Sequence, residues 1–316
     1  MENYKKLIFG SRGSKLALAQ SRAALQVLQK LGISLNPEPF IIQTTADRHQ
    51  EKKLSEIGGK GLFVKELEEA LSNCSIDVAI HSLKDVPGVL PETFVIALHC
   101  FAEDRRDAFL SKKAKALRAL PKGAVVGSSS PRRQAQILAL RPDLRVKEMR
   151  GNVETRIQKM ENGEVDAILL AVAGLNRLGL QDRITSFLNA KEFIPAVGQG
   201  ILAMEILKKN AAVADLLQKK VHDIATESIA RAERAFLAGM GGDCYSPIAA
   251  HAFLEKERLS LIGWVGLPDG TQSVRRETFG SSEESESLGK KLAQEILQAG
   301  GRVILEKATH AFSSHT

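Results

Sequence analysis

The chain has 316 residues, enough for two or three domains, and its 44% hydrophobic and 26% charged content is that of a globular protein. A net charge of +7 invites a nucleic-acid reading, but aromatics are only 5% and no basic helical stripe appears, which argues against it. No apolar stretch approaches the roughly 18 to 20 residues that span a bilayer, the N-terminus has no signal-peptide core, and three scattered cysteines lack metal-ligand spacing, so a reducing cytosol is expected.

In chain order, Leu7 to Arg12 reads as a short strand breaking at Gly-Ser, followed by a helical pattern from Ser14 to Leu31 that ends at Gly32. A second helix is expected from Gly61 to Ser72, with Phe63, Leu67, Ala70 and Leu71 on one face, then a buried strand over Ile76 to Ile80. The pattern then repeats. Ala124 to Gly127 is a strand with the same Gly-Ser break, and Pro131 opens a helix through Leu140. Val153 to Asn162 is helical, stops at Gly163, and precedes the apolar strand Val165 to Leu170. Helix alternating with apolar strand predicts parallel α/β units, here two similar open-sheet domains with a cleft between them.

Beyond about residue 222 the pattern changes. His222 to Ala238 is amphipathic, Ile248 to Leu254 is an apolar strand, and Pro268-Asp-Gly270 separates two further strands as a hairpin turn. Ser281-Ser-Glu-Glu is a capping-box start for a helix ending near Gly300-Gly301, and Thr309 to Thr316 is expected to fray. A smaller α/β domain is predicted here. Near its start, Gly239-Met-Gly-Gly-Asp-Cys-Tyr-Ser-Pro247 sets Cys244 on a Gly-rich loop. That cysteine is either a packed loop residue or an available thiol suited to a covalent bond.

In open α/β sheets ligands bind beyond the carboxyl ends of strands. Those positions here repeat one chemistry: Ser11, Arg12 and Ser14; His81-Ser-Leu-Lys-Asp-Val-Pro87; Ser128-Ser-Ser-Pro-Arg-Arg133; Arg150-Gly-Asn-Val-Glu-Thr-Arg156; and Arg177. Helix starts attract anions, and the planar guanidinium fork grips carboxylates in pairs of hydrogen bonds. Each such arginine alone could be a solvated surface charge; the recurrence points to a small polyanion. Asp85 is the acid among these cations, suited either to a developing positive charge or to a structural cap. Gly58-Gly-Lys-Gly61 is not a P-loop, and the seven histidines show no metal spacing, so no metal is expected.

Seven of these stretches, GGKGLFVKELE (58–68), HSLKDVP (81–87), RRDAF (105–109), GSSSPRRQ (127–134), RGNVETR (150–156), ILLAVAGLNRLGL (168–180) and PAVGQG (195–200), together resemble the porphobilinogen deaminase (hydroxymethylbilane synthase) family. The resemblance runs from about Phe9 to Gly301. It implies an α/β protein of three domains, the first two arranged like type II periplasmic binding proteins. Domain 1 would be 1–100 and 200–221, domain 2 101–199, and domain 3 222–316. It implies a dipyrromethane cofactor bound through a thioether to Cys244. It further implies an enzyme joining four porphobilinogens into hydroxymethylbilane with release of ammonia, in tetrapyrrole, hence porphyrin and heme, biosynthesis.

By the same resemblance Asp85 would be catalytic, stabilising positive charge on pyrrole nitrogen. Carboxylates would be held by Arg12, Ser14, Lys60, Ser82, Lys84, Ser129, Ser130, Arg132, Arg133, Arg150, Arg156 and Arg177, with Gln199 and Arg106 as weaker candidates. A cytoplasmic monomer without nucleic-acid or membrane partners is expected. Three departures stand out: Glu56 where the family commonly has lysine, Ala46 where glycine is usual, and Asp243 before the anchor cysteine. The rival reading is a two-domain receptor for a small anion. Against it stand the absent export signal, the acid Asp85, and the extra domain bearing Cys244.

Overall fold

The computed structural model describes residues 6–45, 63–242 and 246–313, with side chains through residue 308. The chain forms two compact units, Met1–Glu103 with Gly200–Glu227, and Asp104–Gln199 with Ser228–Thr316.

The first unit is built on a five-stranded sheet. Its strands are β1 (Phe9–Arg12), β2 (Phe40–Ile42), β3 (Val78–Ser82), β4 (Phe94–Cys100) and β10 (Leu202–Leu207), in the order β2-β1-β3-β10-β4. β1 runs parallel to β2 and β3, whereas β10 is antiparallel to both its neighbours. One face packs on α1 (Lys15–Lys30) and α6 (Ala211–Lys220) through Phe9, Leu25, Leu28, Val78 and Met204. The other face carries Ile76, Ala79 and Leu207, and packs on Leu67 and Leu71 of α2 (Lys65–Ser72). The period-2 alternation along β3 and β10 therefore divides their side chains between two helical layers.

The second unit contains a sheet of the same design. β5 (Asp107–Ser111), β6 (Val125–Gly127), β7 (Arg145–Lys147), β8 (Ala167–Ala171) and β9 (Ser186–Phe187) take the order β7-β6-β8-β5-β9. β6 is parallel to β7 and β8, and β5 is antiparallel to β8 and β9. The repeat expected from the two Gly-Ser breaks is thus a repeat of strand order. Helices α3 (Pro131–Leu140), α4 (Val153–Glu161) and α5 (Val172–Arg177) follow β6, β7 and β8.

The smaller C-terminal α/β region also lies in this unit. Antiparallel β11 (Ile248–Glu255), β12 (Arg258–Gly266) and β13 (Ser273–Ser281) bury Ala250, Leu259, Leu261 and Val265 against α7 (Ile224–Met240) and α8 (Ser285–Ile296). The hairpin turn forms as expected, with Leu267 and Gln272 closing it and Gly270 in the left-handed region at φ +75°. Ser281 makes the full capping box with Glu284. Gly289 sits where α8 crosses α7: a Cβ there would stand 2.3 Å from the Ala232 carbonyl oxygen. Past Gly300 (φ +105°), where the sequence suggested an ending, the chain restarts as α9 (Arg302–Ser313), which buries Ile304 and Ala308. The glycine pair marks a kink between two helices, and those apolar residues hold the second one in place.

Candidate active site

In the first unit the carboxyl ends of β1 and β3 and the start of β10 share one edge of the sheet, since Leu202 pairs with Ser82. Arg12 closes β1, its guanidinium 4.6 Å over the Phe63 ring. Ser14 is the N-cap of α1, accepting from Ala17 N–H at 3.3 Å, so its hydroxyl hydrogen remains to donate. Ser82 ends β3 and donates to Gln20 Oε1 at 3.0 Å. The chain then makes a 3-10 turn over Leu83–Asp85, pinned to the incoming strand by Leu83 N–H on the Ile201 carbonyl at 2.9 Å. Asp85 is half-buried at the end of this turn, after Lys84, and its carboxylate makes no hydrogen bond or ion pair with the described residues.

Behind this edge are acids the sequence reading passed over. His81 Nε2 meets Glu205 Oε2 at 2.9 Å, with both side chains buried. Burial, reinforced by the charge of Glu205 and opposed by His81, pushes the Glu68 carboxyl up to about 7. The sequence signal was faint: single acids inside otherwise apolar patterns.

In the second unit the ends of β6, β7 and β8 and the start of β5 converge in the same way, Asp107 pairing with Ala171. Ser130 caps α3, accepting from Arg133 N–H at 3.4 Å, with Pro131 at the first helical position. Ser129 Oγ donates to the Met149 carbonyl at 2.8 Å. Its hydroxyl hydrogen is thereby used, and an anion there would meet its backbone N–H. Arg132 and Arg133 point inward onto Asp107, at 2.9 and 2.6 Å, and also hold the carbonyls of Ile194 and Leu169. Asp107 is fully buried, which by itself would favour its neutral form, but Arg132 and Arg133 outweigh this and keep it ionised, well below the usual carboxylate range. Gln199 donates to Asp107 at 3.1 Å and to the Arg105 carbonyl at 2.9 Å, so its amide is committed inside the unit. Arg106 is gripped by Asp104 through both Nε and Nη2 and lies 4.2 Å over Phe187. Both weaker candidates are therefore engaged by the protein itself.

Arg150 and Arg156 are placed differently. Gly151, at φ +114°, turns the chain between them, and Asn152 caps α4 by accepting from Thr155 N–H at 2.9 Å. Arg150 Nε reaches Glu148 at 3.0 Å, while Arg156 Nε donates to the Gly151 carbonyl at 2.8 Å. Burial, then the charges of Arg133 and Arg150, push the Arg156 guanidinium down to about 10. Among the described residues, Arg132, Arg133, Arg150 and Arg156 have between them only Asp107 and Glu148 as carboxylate partners. That surplus of positive charge suits an anion. Arg177 is half-buried at the last position of α5, after β8.

A family model described as "Porphobilinogen deaminase, dipyromethane cofactor binding domain" matches residues 7–215, and a second, "Porphobilinogen deaminase, C-terminal domain", matches residues 228–298. The chain belongs to the porphobilinogen deaminase family. Porphobilinogen deaminases similar to it include those of Nitrobacter hamburgensis, 45% identical over 92% of this chain and 93% of the relative, and Oceanobacillus iheyensis, 43% identical over 96% and 97%. Among solved structures, a putative methionine-binding lipoprotein of Bacillus subtilis aligns with TM-score 0.42 at 16% identity, covering 69% of this chain and 90% of that one. The methionine-binding protein MetQ aligns with TM-score 0.41 at 14% identity, covering 74% and 94%.

Porphobilinogen deaminases are transferases that polymerise porphobilinogen to hydroxymethylbilane in tetrapyrrole biosynthesis, the route to porphyrins and heme, with a dipyrromethane cofactor. The donors of each unit suit such a group by their chemistry: its carboxylates match the under-neutralised arginines of the second unit, and its pyrrole N–H groups match Asp85 of the first, which has no partner among the described residues. Among the described residues no helix is long and apolar enough to cross a membrane. Lys60 and Cys244, together with Ala46, Glu56 and Asp243, lie outside the described residues.

Proposed function

We propose that Asp85 is the catalytic carboxylate of this porphobilinogen deaminase. The observation that carries this reading is a half-buried carboxylate, at a strand end, with no protein partner among the described residues. The bound dipyrromethane would supply a tethered pyrrole with a nucleophilic free α-carbon. In each condensation the C–N bond of the substrate's aminomethyl group breaks and ammonia leaves. A C–C bond would form to the free α-carbon as that carbon's proton departs. Positive charge develops on pyrrole nitrogen in these steps. Asp85 accepts the pyrrole N–H bonds, stabilises that charge and takes part in moving the proton.

Arg12, Ser14, Ser82 and Lys84 in the first unit, with Ser129, Ser130, Arg132, Arg133, Arg150, Arg156 and Arg177 in the second, form the carboxylate-binding set, together with Lys60. Within it the geometry supports two kinds of role. Arg150 and Arg156, each held by the protein through Nε, keep their terminal donors for incoming carboxylates, whereas Arg132 and Arg133 meet them while anchored on Asp107. Cys244 is proposed as the thioether anchor, the position the family resemblance implies; of the other cysteines, Cys100 is buried within β4 and Cys74 is exposed on the turn after α2. The three-domain division, a monomeric state and a cytoplasmic location complete the reading.

Intact-mass measurement during incubation with porphobilinogen tests it. The purified protein is expected to exceed its polypeptide mass by two pyrrole units and to gain further single units on incubation. A bare polypeptide mass that never changes would refute the covalent scheme.

A further inference from the structure

On the face of the first sheet that packs against α2, the apolar layer gives way near the carboxyl end of β3 to ionisable groups. His81 and Glu205 are 5% and 0% exposed and are joined Nε2 to Oε2. The second oxygen, Glu205 Oε1, is sealed from solvent and has no hydrogen-bond partner among the described residues. A buried carboxylate oxygen in that state is costly and calls for a donor. Glu68, half-buried on α2, lies within electrostatic reach of both Glu205 and His81. Its helix neighbours do not compete: Glu66 binds the Thr45 amide and hydroxyl at 2.6 Å, and Lys65 and Glu69 are exposed. The charged groups on or beside the strands against which α2 packs are Arg12 on β1, Asp77 just before β3, His81 on β3, and Glu205 on β10. Arg12 stacks on Phe63, and Asp77 accepts from Ile8 N–H at 2.8 Å.

We propose that Glu68 is a positioning residue that works in its protonated form, donating to Glu205 Oε1 and completing a chain Glu68–Glu205–His81 that latches α2 to β3 and β10. The latch fixes two parts of the first-unit site together. β3 runs from His81 directly into Ser82 and the turn bearing Asp85, and α2 begins just after Phe63, on which Arg12 rests. When Glu68 releases its proton to solvent, two carboxylates face one imidazole and the latch opens. The latch concerns the packing of the first unit and stands or falls independently of the role given to Asp85.

The folded state raises the Glu68 carboxyl above the ordinary 4.5 to about 7, so the folded chain keeps a proton that the unfolded chain has lost. Stability from the latch is therefore full below the ordinary value and is lost as pH rises toward 7. The test compares wild type, Glu68→Gln and Glu68→Leu as holoenzymes, reading melting temperature from about pH 4 to 8 and kcat and KM for porphobilinogen over the same range. Glutamine carries a donor at every pH. The Glu68→Gln protein is expected to melt like wild type at the acid end, to exceed it increasingly toward pH 7, and to show a KM that no longer rises with pH. Glu68→Leu is expected to melt lower than wild type at the acid end. Parallel melting curves for Glu68→Gln and wild type, or a Glu68→Leu protein as stable as wild type at the acid end, would overturn the proposal.

Discussion

Replacing Asp107 with asparagine tests the arginine platform of the second unit directly. The substitution keeps side-chain shape and an acceptor for Gln199 but removes the carboxylate that Arg132 and Arg133 share. Both guanidiniums are buried, at 4% and 7% exposure, so the loss leaves two positive charges facing each other away from water. Breaking a buried ion network in this way costs about 3–5 kcal/mol. For a unit of this size each kcal/mol corresponds to about 2–4 °C, giving a fall in melting temperature of roughly 6–20 °C. Scanning calorimetry reads this, with Glu286→Gln as the control. That residue's pair with Lys290 is exposed on α8, and its loss should cost only about 0.3–0.5 kcal/mol. The arginines hold the Asp107 carboxyl below its ordinary value, so its contribution is present above about pH 4 and fades as acid protonates it. The variant should lack that acid-side decline. A loss under about 1 kcal/mol in Asp107→Asn would refute the reasoning, because the network would then be dispensable.

Asp85→Asn should retain the attached cofactor by mass yet lose at least about 100-fold in kcat, since an amide cannot stabilise the developing cation; near-normal turnover removes Asp85 from the chemistry. Cys244→Ala should purify at its bare polypeptide mass, and a pyrrole adduct mapped to Cys74 or Cys100 would contradict the anchor. Arg156→Leu should raise KM or stall elongation while leaving the melting temperature within a few degrees, because Arg156 is held by one carbonyl rather than by a buried carboxylate; wild-type kinetics would remove it from the carboxylate-binding set. His251 is kept neutral, its imidazole pushed down to about 3 first by burial and then by Arg105 and Lys191. Its folded value lies below the unfolded one, so stability is lost as pH falls from 6.5 toward 3. His251→Gln should flatten that part of the stability profile, and an unchanged profile would show that the ring does not titrate there.

Much of this was legible in the chain itself. The Gly-Ser breaks and Pro131 mark helix starts that form where expected, because capping is local chemistry. The basic residues at strand ends were legible because the parallel strands of each sheet bring their carboxyl ends to one edge of that sheet. The partners were not. Nothing in the spacing of Asp107 from Arg132 and Arg133 shows that strand β5 enters antiparallel and delivers that acid beneath α3. Glu205 was hidden likewise, one acid in the apolar run Leu202–Leu207, and it meets His81 only after the chain has crossed to the other unit and back. Ser82 and Ser129 were legible as site residues but not as donors already committed to Gln20 and Met149. The helix beyond Gly300 escaped because a glycine pair ends a helix and permits a kink equally well.

The strand order of the first sheet has a consequence for synthesis. β3 and β4 are not hydrogen-bonded to each other; β10, which lies between them, is made about a hundred residues after β4. Until it emerges from the ribosome, two hydrophobic strands present open edges with no mate, a state prone to wrong pairing. The sheet formed by β5 to β9 is continuous in the chain and is complete before that moment. The sheet whose strands are begun first is thus the one that must wait longest for its interior antiparallel strand.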